Sequence, residues 1–361
     1  MQLNESITPR PDPQETGGAD ANVWPVLGAL RFLLASVVCC NHYFMVAPFE
    51  AQLPWPIYIL RLMGGYAAVQ GFFLISGYSI ASSIKRDASS FGYRRFWRIY
   101  PLSLAGLCYA LIPFAFYDTG TIHTLAFAFN EPTPSETLAA AAALPCIITN
   151  PVSTFGVTWT LTCEILYYML APLIAKCRTG IILFTCALSL GAFLVHDNFF
   201  LLQYPTDLYL VAPVCMIWWW LSGWLLYQYR TSATAGVLLM GICLTANALS
   251  PHTPEHLSEL AMFISLLALV FGRQVNMATW IKKLCILLGD ISYPLYLTHI
   301  TTYILIYRFA GPWMMTHSIL YLPAAVIVGA AFFVGIDKPV RSFIRGAKSV
   351  SGPQNAVAAV K

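Results

Sequence analysis

Apolar runs long enough to enter a bilayer follow one another along nearly the whole chain, and basic residues gather at alternate breaks between them. Such a segment can cross hydrocarbon only if its backbone hydrogen bonds close internally, so a chain built from many of them must fold as a helical bundle. Ten candidate spans emerge, at about 24–46, 63–83, 99–117, 158–176, 180–196, 207–229, 233–249, 258–272, 284–308 and 317–336. With the first residues in the cytosol, the inner connections collect Lys85, Arg86, Arg94, Arg95, Arg98, Lys176, Arg178, Arg230, Arg273, Lys282 and Lys283. The outer side keeps Arg61 and Arg308. This is the positive-inside distribution, and it predicts an all-α, polytopic membrane bundle of about ten transmembrane helices with both termini cytosolic.

Composition agrees. Of 361 residues, 58% are hydrophobic and 10% charged, against about 25% charged in soluble domains. The expected organisation is one membrane domain over 23–345, a disordered cytosolic tail over 1–22 and a second cytosolic tail over 346–361. The first tail lacks the basic start and short apolar core of a cleavable signal peptide. The net charge of +4 comes from clusters that flank the spans, so the expected partner surface is the lipid bilayer and nucleic acid is not expected. Ten cysteines lie mostly within apolar runs, where cysteine packs as a small hydrophobe, and no metal-ligand spacing occurs. The long outer connection, about 118–157, holds an alanine-rich piece (137–149) too short to cross. It is expected to be re-entrant or interfacial, because a true span there would place Lys176, Arg178, Lys282 and Lys283 outside.

Few ionisable groups fall inside the spans. Arg31 and His42 bracket ten uncharged residues in RFLLASVVCCNH. Eleven helical steps bring both to one face, roughly 16 Å apart along the axis. Glu164 lies in the fourth span, Asp290 and His299 in the ninth, and Asp337 at the end of the tenth. Each alone could be a packing pair. Together they point to a pathway or a reaction site, since intramembrane charges are costly. His42 suits proton exchange, and Glu164 is expected to orient or charge-stabilise it if the first and fourth spans are neighbours.

Three further motifs surround these residues. GGYAAVQGFFLISGYS carries glycines that allow close helix approach and the hydroxyls of Ser76 and Ser79. FGYRRFWRIYP places Arg94, Arg95 and Arg98 at the inner surface, where they serve topology and headgroup contact or grip phosphate as bidentate forks. LGDISYPLYLTH sets Ser292, Tyr296 and His299 at i, i+4 and i+7, with Pro294 able to bend that register.

In this order the motifs resemble the acyltransferase-3 family of integral membrane O-acyltransferases. Arg31 and His42 fit its Arg, ten residues, His pattern. Phe72 to Gly77 (FFLISG) fit its FFxxSG signature. Arg94, Arg95, Arg98, Ile99 and Pro101 fit its basic segment. Trp159, Glu164, Tyr168 and Pro172 fit its Trp-Ser-Leu-x-x-Glu segment, with Thr160 in place of the usual Ser. Gly289, Ser292, Tyr293, Tyr296 and His299 fit its Gly-x-x-Ser-Tyr-x-x-Tyr-x-x-His segment. Asp337 stands where Glu is usual before x-Pro.

The resemblance implies a stand-alone member without an esterase-like outer domain, in a bacterial inner membrane. It would transfer an acyl group, acetyl by default, from acyl-CoA to a hydroxyl of a cell-surface carbohydrate, with no permanently bound cofactor or metal. His42 and Glu164 would be catalytic. Arg31, Arg94, Arg95 and Arg98 would bind the donor, and Ser76, Tyr168, Ser292, Tyr293, Tyr296 and His299 would line the cavity. The residues alone also admit a glycan transporter using the buried charges as a path. Direct transfer and an acyl-histidine relay both fit, and oligomeric state is left open.

Overall fold

A computed structural model describes residues 17–46, 54–116, 120–124, 127–143, 147, 149–199, 211–249 and 257–350. Of the described residues, 84% are helical. The main helices are α1 (Gly17–His42), α2 (Trp55–Leu62), α3 (Gly65–Arg86), α4 (Phe91–Leu111), α5 (Pro134–Ala141), α6 (Thr158–Ile174), α7 (Thr179–Phe199), α8 (Val211–Gln228), α9 (Ala233–Ala248), α10 (Ser258–Phe271), α11 (Thr279–Thr316), α12 (Tyr321–Phe332) and α13 (Lys338–Val350). A short hairpin, β1 (Thr121–His123) with β2 (Ala128–Asn130), sits between α4 and α5.

By length and composition, four helical stretches among the described residues can cross a membrane: Asn22–Met45, Gly65–Arg86, Phe91–Phe116 and Ser318–Ile344. Thr179–Val195 and Ala233–Ala248 are shorter apolar helices. The other expected spans are helical but differ in kind. At 17 and 14 residues, α6 and α10 are shorter than the ~20 residues of a straight crossing. The ninth span belongs to α11, a helix of 38 residues carrying Lys282, Lys283, Asp290 and Arg308, with a break at Gly311 (φ 46°). Residues 207–210 of the sixth expected span lie outside the described residues.

The alanine-rich piece forms a helix of only 8 residues, α5, started by a Thr133–Glu136 capping box and the following Pro134. Residues 144–146 and 148 of that piece are not described. Positions 1–16 and 351–361 lie outside the described residues, but α1 already begins at Gly17 and α13 continues to Val350.

The core rests on two close helix pairs, α1 with α11 and α3 with α8, joined where α1 packs on α3, and two glycine crossings set its geometry. At the first, a Cβ on Gly28 would lie 2.5 Å from the Cys285 carbonyl oxygen, and one on Gly289 would lie 2.5 Å from the Gly28 Cα. The α1 and α11 backbones therefore touch, as small residues permit in membranes. From this crossing both helices run in the same direction, carrying Arg31 and His42 along α1 past Tyr293, Tyr296 and His299 on α11. At the second crossing, a Cβ on Gly77 would meet the Trp220 carbonyl at 1.8 Å and one on Gly223 the Leu74 carbonyl at 2.0 Å. Thus Gly77 of FFLISG seats α3 on α8. Gly64 differs: it starts α3 from a left-handed conformation (φ 76°). Around this centre, α6 packs on α3 and α8, α4 on α11, α12 on α11, α10 on α1 and α3, and α7 on α8. Trp218, Trp219 and Trp220 are fully buried.

Candidate functional site

The buried polar groups separate into two clusters at opposite ends of the Arg31–His42 stripe. The first gathers where α1, α3, α4 and α6 converge. Arg31 Nη2 donates to Ser79 Oγ at 2.8 Å. One turn further along α3, Ser76 Oγ donates to Glu164 Oε1 at 2.9 Å, while the Trp220 indole donates to Ser76 Oγ at 3.3 Å. The Tyr168 hydroxyl, one turn beyond Glu164 on α6, donates to the same carboxylate oxygen. The Arg95 guanidinium lies 5.5 Å from the Tyr168 ring centre and 5.6 Å from that of Phe91, a cation–π sandwich. The guanidinia of Arg31, Arg95 and Arg98 lie near one another and near Tyr168 and Glu164. Two buried polar atoms here have no protein partner: Arg95 Nε and the Tyr293 hydroxyl. Such orphans are uncommon in finished interiors and fit a site whose ligand is polar.

Arg94 stands apart from this cluster. Its guanidinium pairs with the Asp87 carboxylate and Ser90, and its Nη2 donates to the Asp87 carbonyl at 2.6 Å and to that of Ser83 at 3.5 Å. It therefore closes the end of α3, where the last carbonyls lack helical partners. Hydrogen bonds from Ser90 and Ser89, with the Ser90 amide and Arg94 adding to them, hold the Asp87 carboxyl well below the usual carboxylate range. Of the three arginines, Arg94 is thus held at the end of α3, while Arg95 stacks on Phe91 and Tyr168.

The second cluster is a pair of imidazoles. His42 Nδ1 and His299 Nε2 are 2.8 Å apart, and the rings are nearly parallel at 7°. His299 Nδ1 lies 2.9 Å from the Tyr296 carbonyl and 3.3 Å from that of Leu295. His299 is fully enclosed, whereas His42 is partly open. The expected His42–Glu164 pair does not form. Its condition was that the first and fourth spans be neighbours, but α1 packs on α11, α3 and α10, while α6 packs on α3 and α8. Glu164 instead accepts from Ser76 and Tyr168, and His299 occupies the place beside His42. Sequence showed both histidines. It did not show the Gly28–Gly289 contact that brings them together, although a glycine followed by histidine in two parallel spans was an available signal.

Between the clusters runs an aromatic and hydroxyl lining. On α3, Phe72, Ser76 and Ser79 fall at i, i+4 and i+7 on one stripe. The Phe72 ring lies 5.6 Å from that of Tyr296, which lies 6.1 Å from His299. The Tyr296 hydroxyl shares a 2.8 Å hydrogen bond with Thr160 Oγ1, so the Thr standing in place of Ser keeps a working hydroxyl. The buried Ser292 hydroxyl turns back to the Gly289 carbonyl at 2.7 Å, beside the α1–α11 crossing. Trp220 and Phe91, both near the arginines, were not singled out from the sequence; aromatic residues were too common to stand out. Asp290 and Asp337 are tied by Arg341, which joins α11 to the π-helical turn Phe333–Asp337 and α13.

Fold and site together define a helical membrane protein with two buried polar clusters along the Arg31–His42 stripe, one rich in arginine and the other a histidine pair. The family profile described as an acyltransferase domain, acyltransferase-3, matches residues 25–336. The chain belongs to this family and is a membrane acyltransferase. Comparison with curated proteins and with solved structures gave no significant match.

Proposed function

We propose that the protein moves an acyl group, acetyl in the simplest case, from acyl-CoA to a hydroxyl of a cell-surface carbohydrate across a bacterial inner membrane. The observation that carries this reading is the asymmetry of the Arg31–His42 stripe: Arg31, Arg95 and Arg98 gather near Glu164 at one end, and a partly open imidazole stands at the other. Guanidinium forks suit the phosphates of a nucleotide donor. The distance of roughly 16 Å along α1 suits an extended donor arm reaching from the arginines toward His42. His42 takes the proton of the acceptor hydroxyl as its oxygen attacks the thioester carbonyl. The new C–O bond forms, the C–S bond breaks, and the proton passes to the leaving thiolate. The arginine end faces the cytosol, where acyl-CoA is available. The test is mass spectrometry of surface glycans from cells carrying the wild-type gene, no gene, or His42→Ala. An acyl mass present only with the wild type is the expected result, and identical glycans in all three would refute the proposal.

A further inference from the structure

We infer that His299 is a positioning residue that holds His42 in a single tautomer, with Nδ1 protonated and the Nε2 lone pair turned to the acceptor; this rests on His42 acting as proposed above.

The assignment follows from donor and acceptor chemistry at four atoms. A backbone carbonyl can only accept, so His299 Nδ1, at 2.9 Å from the Tyr296 oxygen, carries a proton and donates it. In a neutral imidazole the other nitrogen is then the acceptor, and His299 Nε2 presents a lone pair to His42. The 2.8 Å contact therefore requires the proton to sit on His42 Nδ1. His42 Nε2 is left unprotonated, and it belongs to the more open of the two rings. The hydrogen bond made by one ring nitrogen thus fixes the state of the other. The direction cannot reverse while the α11 backbone carbonyl stays in place, because His299 would lose its only carbonyl partners.

The same bond helps during turnover. When Nε2 takes the hydroxyl proton, His42 becomes a cation whose Nδ1–H already points at a lone pair. A charge-assisted hydrogen bond forms without rearrangement, and the Nε2 proton then leaves with the thiolate. Parallel rings at 7° keep this geometry fixed.

The experiment uses the full chain in lipid, labelled with ¹⁵N-histidine and examined by solid-state NMR, with His42 signals assigned against His42→Gln. A protonated Nδ1 and an unprotonated Nε2 are expected for His42, and the opposite pattern overturns the inference. Release of CoA from acetyl-CoA, with native membranes as the acceptor source, supplies the kinetic arm. His299→Phe should lower kcat by about tenfold or more while KM for acetyl-CoA stays within about twofold. His299→Gln, whose amide oxygen accepts the same hydrogen bond, should recover part of that loss. Wild-type turnover in both variants, with His42→Gln inactive, would overturn the role of His299 and leave the proposed function standing. Wild-type turnover in His42→Gln would instead remove the proposed function, while the tautomer is still read from the wild-type spectrum. If His299→Phe fails to insert, the wild-type spectrum and His299→Gln decide between the same outcomes.

Discussion

Arg94, Arg95 and Arg98 sit within five positions of one another, and their surroundings separate their work. Arg95 stacks on Tyr168 and Phe91 beside Glu164, Arg98 stands open near Arg31, and Arg94 is consumed by the end of α3. Removing Arg95 or Arg98 should therefore weaken acyl-CoA binding, and the loss should be smaller for a CoA lacking its 3′-phosphate. Arg94→Ala should lower thermal stability yet leave the affinity of the folded fraction near wild type. Titration of each variant with both ligands checks this, and an Arg94→Ala loss matching that of Arg95→Ala would return it to the donor-binding arginines. Because folded Asp87 is held below its ordinary range, the contribution of its pair with Arg94 is complete above that range. It is lost only as pH falls through the depressed value, so mildly acidic assays leave the latch closed. At the other end of the stripe, His42→Ala should keep insertion and lose acylation by roughly a hundredfold or more. Arg31→Lys keeps the charge without the planar fork and should bind acyl-CoA less tightly. Residue types and spacing exposed the arginines, His42, Glu164 and Tyr168 in the sequence, but not Asp87 or Phe91. The division among the arginines was not legible, because helical phase alone cannot say which face meets Asp87 and which meets Tyr168.

At the scale of helices, the two glycine crossings decide which side chains can meet. Any side chain at Gly28 or Gly289 would drive a Cβ into the backbone of the facing helix, and α1 and α11 would separate together with the His42–His299 pair. Gly28→Val is expected to destabilise the fold by about 1–3 kcal/mol, the usual scale of overpacking, and to reduce turnover beyond the loss of folded protein. Gly241→Ala is the matched control: it lies mid-helix in α9 with nothing within 4 Å of the added carbon, and alanine favours the helix. Thermal unfolding of the two variants beside wild type is the measurement, and equal midpoints would mean that the crossing is not tight. The apolar runs and their order were readable because hydrophobic length is a strong local signal. Helix partnership was not, since it depends on small residues distant in sequence. That is why the sequence points to Glu164 beside His42, whereas in the structure it accepts from Ser76 and Tyr168.

For the whole molecule, the question is which end of the Arg31–His42 stripe faces which side of the membrane. The internal directions are fixed by contacts. From the Gly28–Gly289 crossing to the histidine pair, α1 and α11 run parallel, while α3 runs against α1, since Arg31 meets Ser79 and Leu34 meets Gly71. These directions agree with an alternating chain in which the first and ninth spans share a sense and the second opposes them. The basic connections, above all the α3–α4 turn with Lys85, Arg86 and Arg94, favour placing that end in the cytosol. The His42 end, followed by Tyr43–Met45 and roofed by the β1–β2 hairpin through Thr124 on the Met45 carbonyl, then faces outward. A cysteine at Phe44→Cys should react with an impermeant thiol reagent added to intact cells, in a background stripped of other reactive cysteines. Ser90→Cys should react only after the cytosolic face is opened. Phe44 and Ser90 are both partly exposed, so a reagent can approach either position from its own side. Labelling of Phe44→Cys solely from the cytosolic side would invert the molecule. Acyl-CoA would then have to reach His42 without passing the arginines, and the proposed direction of acyl delivery would fail with it.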